Sequence, residues 1–479
     1  MANAAYGHPR ARQLADKLAD PATQVVVTGQ QPGLWGGPLL SLDKMLAAIR
    51  WAETLEAAGR PAVAVFWVAT EDHDWAETAR AGIPGKDGVE TLDLGDDPSP
   101  LLPVGMRILG DQLPEAEARA RELLKGSAPA LEQARRWYRP DARLGEAFCR
   151  WLVDLLGARA PLMMDSMLGE VKELQRPWLR RVVERRQAVS EALATREATV
   201  EGRGFSLQVP SQPQASPLFL LRGAERRRIL WSGDDHYVLR GSDEAPKPIE
   251  ELLEILDENP AVVSPGVLAR PAIQDALLGT AVQVMGPSEM SYMAQVSAVY
   301  PVLEVPPPAS ALRPQMLVIE ERQAEYLDEL ELSLSDLLDT PLEELLSRRF
   351  AGDVVGPTRE KLDASMEVLR QQILALDPSL EKPWRKTRDQ MGRNLDQLGS
   401  KVAAAVARRH EVWHRRIGQV VSSLFPGGSF QERKTSVLAL VDRFGPDLGH
   451  RLLDALDLDP RVLRAVRLAP APRDWGEGS

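Results

Sequence analysis

The chain has 479 residues, 44% hydrophobic and 27% charged, with a formal net charge of −11. That acidic balance argues against general nucleic-acid binding, which needs a basic surface. One cysteine, Cys149, leaves no internal disulfide and no multi-cysteine zinc site. No run reaches the ~18 apolar residues of a membrane span, and the N-terminus lacks a signal-peptide core, so a cytoplasmic protein is expected.

The first element is QVVVTG, a short buried strand opening into the glycine-rich loop QQPGLWGGP. Leu39, Leu42, Leu46 and Ile49 then recur at helical spacing, and Gly59 closes the helix. PAVAVFWVA, residues 61–69, is a continuous apolar run of strand type. Strand, helix and strand make a βαβ unit, hence a parallel sheet with a right-handed crossover in an α/β domain. Residues 82–140, first rich in Pro and Gly and then helical, read as an insertion. Cys149 falls in the amphipathic stretch GEAFCRWLVDLL, as a buried core residue. The strand APLMMDS follows, then one long polar helix and a hairpin with a basic turn near 223–240. Residues 261–305 read as helix, strand, glycine turn, helix, strand, returning to the α/β domain.

Past PPPAS (306–310) glycine becomes sparse. Leu362, Met366, Leu369, Ile373 and Leu376 step by four and three, as do Met391, Leu395, Leu398, Val402 and Ala405 after a break at Pro378. The pattern continues in a shifted frame through Val406, Trp413, Ile417, Val420 and Leu424. Two such helices predict an antiparallel coiled-coil hairpin. Thr340 and Glu343 predict a capping box with Pro341 in the first turn. FPGG at 425–428 ends the hairpin, and a short helical tail closes the chain.

Three stretches suit chemistry. In TGQQ, Thr28, Gln30 and Gln31 offer neutral hydrogen bonds beside Gly29, Gly33, Gly36 and Gly37. A glycine loop opening a helix is also an anion site, although neither the GxGxxG nor the GxxxxGK[ST] spacing is present. Glu71, Asp72, His73 and Asp74 follow the second strand, at the sheet edge where ligands bind. Such a block suits general acid/base work, or a divalent ion beside nucleotide phosphates. Arg270, a lone cation, could grip a carboxylate or phosphate or form an interior ion pair, and Glu289, Tyr292 and Gln295 share a helix face after Gly286. His236 reads as a surface residue, and Arg408, Arg409, His410, His414, Arg415 and Arg416 as a solvated or dimer-facing helix surface.

TGQQPGLWGGPLLSLDKMLAAI, PAVAVFWVATEDHDWAE, SPGVLARPAIQD, MGPSEMSYMAQ and LFPGGSFQER, in this order, resemble the BshC family, the cysteine ligases of bacillithiol biosynthesis. The resemblance covers about residues 24–455. It implies a Rossmann-like, nucleotidyltransferase-like core over 1–312 with insertions at about 82–140 and 170–240. A helical coiled-coil domain over 313–424 that dimerises would follow, then a helical tail over 425–479. It also implies that cysteine is added to glucosaminyl-malate through a carboxylate activated with ATP; Mg2+ is the divalent ion that the EDHD block could hold beside the phosphates. By motif, Thr28, Gly29, Gln30, Gln31, Gly36, Gly37, Lys44, Arg270, Gln274, Gly286, Glu289, Tyr292 and Gln295 would bind substrate or nucleotide. Glu71, Asp72, His73 and Asp74 would be catalytic, with His73 as base and Asp72 or Asp74 orienting its ring. The chain departs from the family pattern at Thr70 and Ser288, each at a usual glycine, and at Pro308, where a cation is usual. The alternatives are a metal-assisted hydrolase built on EDHD and a non-catalytic coiled-coil interaction protein.

Overall fold

A computed structural model describes all residues except 86–87, 98, 125–127, 213, 410, 473–474 and 476–479, and all their side chains except those of 347–355, 403 and 406–409. His410 and the side chains of Val406, Arg408 and Arg409 therefore lie outside the described residues. The chain forms two compact units. One comprises Met1–Met316, Gln431–Arg464 and Pro470–Ser479, and the other Leu317–Phe430 and Ala465–Ala469. No described helix is long and apolar enough to cross a membrane.

The first unit is built on five parallel strands, β1 (Gln24–Gln30), β2 (Ala62–Val68), β3 (Leu162–Asp165), β4 (Thr280–Met285) and β5 (Ala309–Leu312). Their order is β5-β4-β1-β2-β3, every neighbouring pair parallel. This is the doubly wound Rossmann order, whose switch point lies beside β1. The valine runs fit strands covered on both faces. On one face Val25, Val27, Val63, Val65 and Trp67 pack with Leu14, Leu162 and Val171. On the other, Phe66 meets Phe148, with ring centroids 6.1 Å apart. Helix α1 (Leu39–Ala57) buries Leu39, Leu42, Leu46 and Ile49, and the positive φ of Gly59 (76°) lets the chain turn into β2.

The expected insertion between β2 and β3 includes a hairpin, Arg80–Pro84 with Val89–Asp93. The single polar helix expected after β3 is two helices, α2 (Gly169–Glu184) and α3 (Arg186–Gly202), broken where Arg185 leaves helical geometry (φ −102°, ψ 23°). The basic hairpin grows into a second, antiparallel sheet of five strands, including Ala215–Arg222, Glu225–Trp231 and Val263–Pro265. The strand expected at the end of 261–305 is instead the helix Val299–Leu303. Its two apolar ends sit four residues apart and are both fully buried, so helical packing overrides the β-propensity of the valines.

In the second unit Leu342–Leu376 and Glu381–Arg409 form the hairpin, joined by a 3-10 turn at Pro378–Leu380. Arg359–Asp396, Met366–Trp384 and Arg370–Glu381 contacts succeed one another toward the turn, as antiparallel pairing requires. The expected capping box at Thr340 does not form. Pro341 holds the N-cap without a side-chain bond, and the box belongs to Ser333 and Asp336 at the start of the preceding short helix.

Candidate functional site

The carboxyl end of β1 sits at the centre of the switch point. Gly29 lies against β2, where a Cβ would come within 2.9 Å of the Trp67 carbonyl oxygen. Thr28 faces the other way and donates to the Val284 carbonyl at 2.9 Å, tying β1 to β4 rather than facing a ligand. Gln30 accepts from Lys44 at 2.9 Å, while Gln31 donates to Asp72 at 2.5 Å.

The glycine turn beyond does not open an anion site. Tyr138 clamps it, donating to the Gly33 carbonyl at 2.9 Å and accepting the Gly36 N–H at 2.8 Å. The start of α1 is covered by the segment near 435–437, where Leu39 N–H reaches the Thr435 carbonyl and the Gly37 carbonyl accepts from Val437, each at 2.9 Å. Gly36 and Gly37 are thus buried scaffold. At Gly36 (φ 81°) a Cβ would collide with Trp151 and Val437. The helix N-terminus read from sequence as a phosphate cradle is spent on the protein itself.

The four EDHD side chains part company. Glu71 is buried and ion-paired with Lys172, which also donates to the Val263 carbonyl at 3.1 Å. Asp74 caps the short helix Trp75–Thr78, accepting Glu77 N–H at 3.0 Å, so it behaves as a helix-start acid. Asp72 accepts from Gln31 on one oxygen and from the His73 backbone N–H, at 2.7 Å, on the other. The His73 ring stands 3.7 Å from Asp72 but 3.2 Å from Arg226 Nη1. Burial, and then the Arg226 charge, hold His73 below the ordinary histidine range. No three His, Cys, Asp or Glu side chains gather as a metal site among the described residues, so EDHD offers the hydrolase alternative no assembled ligand set.

The later motifs supply the opposite wall. Lys44, on α1, binds the Gly29 carbonyl at 2.7 Å and the Glu289 carboxylate at 2.6 Å. Burial pushes its ammonium below the usual lysine range, against the pull of Glu289. Glu289 also accepts the Gly286 N–H at 2.9 Å, fixing the start of the helix Pro287–Val296. Arg270 donates to Gln274 at 2.7 Å and to the Tyr292 hydroxyl at 3.4 Å, both neutral. The interior ion pair weighed from sequence is absent: among the described residues no carboxylate lies in ion-pair range of Arg270. Gln295 leaves the site altogether, bonding Glu197 and the Val209 backbone.

These walls enclose a crevice of about 420 Å³ lined by Gly29, Gln30, Gln31, Glu71, Asp72, His73, Glu77, Arg270 and Glu289 together with Phe219, Arg226 and Arg228. The last three come from the second sheet and were passed over in sequence, where GAERRR suggested only a basic turn. Arg226 and Arg228 alternate on one face of their strand, and both guanidiniums lie over Phe219, at 3.8 and 5.1 Å. Arg228, like Arg270, has no carboxylate partner among the described residues. Two guanidiniums without an ion-pair partner among the described residues, at the carboxyl edge of a Rossmann sheet, suit an anionic group of a ligand.

The departures from the family pattern also find their places. Thr70 fills space left by two glycines: a Cβ at Gly105 or Gly145 would come within 2.8 or 2.7 Å of it. Ser288 is exposed. Shortly after Pro308 stands Arg313, fully buried in a two-bond ion pair with Glu432 at 2.6 and 2.7 Å.

Residues 2–314 match the model of the bacillithiol biosynthesis BshC N-terminal Rossmann-like domain, and residues 316–459 that of the BshC C-terminal coiled-coil domain. The chain belongs to the BshC family. A protein of Salinibacter ruber named "Putative cysteine ligase BshC" is 32% identical over 95% of this chain and 85% of its own length. Proteins of the same name from Heliobacterium modesticaldum (31%, over 93% of this chain and 83% of the relative) and Solibacter usitatus (29%, over 92% and 84%) align similarly. Membership makes the chain a ligase; the family's Rossmann-like match covers the parallel-sheet core, and its coiled-coil match covers the helical hairpin and runs on to 459, through residues 431–459 that belong to the first unit.

Proposed function

We propose that this chain forms an amide between the carboxyl group of cysteine and the amino group of glucosaminyl-malate in bacillithiol synthesis, in the cytoplasm and at the expense of ATP. The observation that carries this reading is that Arg228 and Arg270 line one crevice with no carboxylate in ion-pair range of either among the described residues. Bound there, ATP would supply the phosphoryl or nucleotidyl group that makes the cysteine carboxylate an acyl donor. Arg270, oriented by Gln274 and Tyr292, grips a phosphate or a malate carboxylate. Lys44 neutralises Glu289, which would otherwise repel anions from the crevice. Gln30 and Gln31 hold Lys44 and Asp72 without adding charge. The assay is the purified protein with cysteine, ATP and glucosaminyl-malate, followed by mass spectrometry. No amide product, or equal product without ATP, overturns the reading.

We also propose that the chain is a homodimer through its helical hairpin. Leu369, Leu376 and Leu398, all on the heptad steps, are exposed in the single chain, with Leu376 at 85%. Sedimentation at micromolar concentration tests this. A monomer, or a dimer unmoved by Leu376→Glu with Leu398→Glu, refutes it.

A further inference from the structure

We infer that Arg226 is a positioning residue that holds His73 as the neutral, Nε2-protonated tautomer, so that His73 meets the ligand as a hydrogen-bond donor. Aspartate partners in the EDHD block would have done the opposite. A carboxylate at Nδ1 fixes the proton there and leaves Nε2 as the basic nitrogen. Here Asp72 is already engaged on both oxygens, by the Gln31 side chain at 2.5 Å and by the His73 backbone N–H at 2.7 Å. Asp74 is turned away to cap its helix. Nδ1 instead faces Arg226 Nη1 at 3.2 Å. A guanidinium only donates, so Nδ1 must accept and the single ring proton sits on Nε2.

The arrangement is built rather than incidental. Arg226 is 6% exposed, and Phe219 lies under its guanidinium at 3.8 Å. Its Nε donates to Ser264 Oγ at 2.9 Å and its Nη2 to the Pro265 carbonyl at 3.3 Å. Its backbone N–H is fixed on the Leu101 carbonyl at 2.8 Å. The charges facing the ring are Asp72 and Asp74 from its own segment, Arg226 from the second sheet, and Arg107, which is itself paired with Asp97 at 2.6 Å. Nε2 has no protein partner among the described residues, and His73 lines the crevice. Its N–H is therefore available to an anionic oxygen in that crevice, a phosphate or a developing oxyanion. The base role expected for His73 from sequence would require a tautomer change against Arg226. The reference to such an oxygen rests on the ligase reading; the tautomer itself does not.

The test is long-range 1H–15N correlation on the full chain with 15N-labelled histidine, the His73 signals being those lost in His73→Gln. At neutral pH His73 should show a protonated Nε2 and an unprotonated Nδ1, with a titration midpoint below that of free histidine. Arg226→Met should raise the midpoint and mix the tautomers, and Arg226→Lys should restore the Nε2–H form. An Nδ1–H tautomer in the wild type overturns the proposal without recourse to any variant, as does an imidazolium at pH 7. An Arg226→Met protein that keeps both tautomer and midpoint does so too. Ligase activity is scored separately, so an inactive protein with the Nε2–H tautomer refutes the ligase reading alone.

Discussion

Gln31 reaches across from the end of β1 to the end of β2 and donates to Asp72 at 2.5 Å. The two residues are 41 apart in sequence, and the parallel pairing of Gln30 with Val68 brings them together. The bond fixes which atoms of Asp72 remain for His73, so a residue that could pass for a ligand contact controls the electrostatics of its neighbour. Gln31→Leu should lower kcat/KM about 10- to 100-fold, the ~1.5–3 kcal/mol of a hydrogen bond to a charged group. Gln31→Glu should be worse, because it sets two carboxylates together. Steady-state rates with unchanged activity in both variants would remove the bond from the catalytic account.

Among the described residues Arg270 hydrogen-bonds only neutral groups, Gln274 and Tyr292. Its charge is then available for a ligand anion, and the fork geometry matters as well as the charge. Arg270→Lys should raise the KM of at least one substrate about 10-fold or more, roughly 1.5–3 kcal/mol, with a smaller change in kcat. A KM unchanged for ATP, cysteine and the amine together would show that Arg270 grips none of them.

Glu71 tells a different story from the rest of its block. Its carboxylate and the Lys172 ammonium are buried together, and among the described residues neither has another ion-pair partner. Lys172→Met should destabilise the fold by about 3–5 kcal/mol, the cost of stranding a buried charge. Denaturant unfolding reads this directly. A midpoint equal to that of the wild type would return Glu71 to the list of free catalytic acids.

His73 and His8 are both held below the ordinary histidine value of 6.5, His8 chiefly by burial, its Nε2 bound to the Ala160 carbonyl at 2.9 Å. In that situation the unfolded chain binds more protons than the folded one just below pH 6.5, so stability rises with pH there. The contribution is complete above about pH 6.5, the unfolded value, and is lost as pH falls through the lower folded values. Unfolding free energies should therefore fall between neutral pH and pH 5. His73→Gln and His8→Gln should each flatten the slope, and a slope unaltered in both variants would contradict the shifts.

The βαβ opening, the carboxyl-edge position of EDHD and the helical hairpin were legible in the sequence because each rests on local periodicity: apolar runs for covered strands, four-three steps for the hairpin, glycine at the turns. The family resemblance carried the rest of the architecture. What escaped was anything decided by distant partners. Nothing in GAERRR says that Arg226 and Arg228 reach the crevice, because the strand carrying them belongs to another sheet. Nothing in the glycine turn says that Tyr138 and the 435–437 segment occupy its N–H and carbonyl groups. Val299–Leu303 read as strand because valines favour one, and burial of both ends of the segment overruled that preference.

Residue order alone fixes which chemistry is present at the carboxyl edge of β1 and β2: two neutral amides, three acids, a histidine and no phosphate-loop spacing. What each group is free to do depends on the distant partners that the fold brings to it. Hydrogen-bonding capacity is finite, and a side chain already satisfied by the protein has less left for a ligand. Glu71 is spent on Lys172, Asp74 on a helix cap, Gly36 on Tyr138 and Gln295 on Val209. Arg228, Arg270 and the Nε2 of His73 keep their capacity, and they face the same crevice.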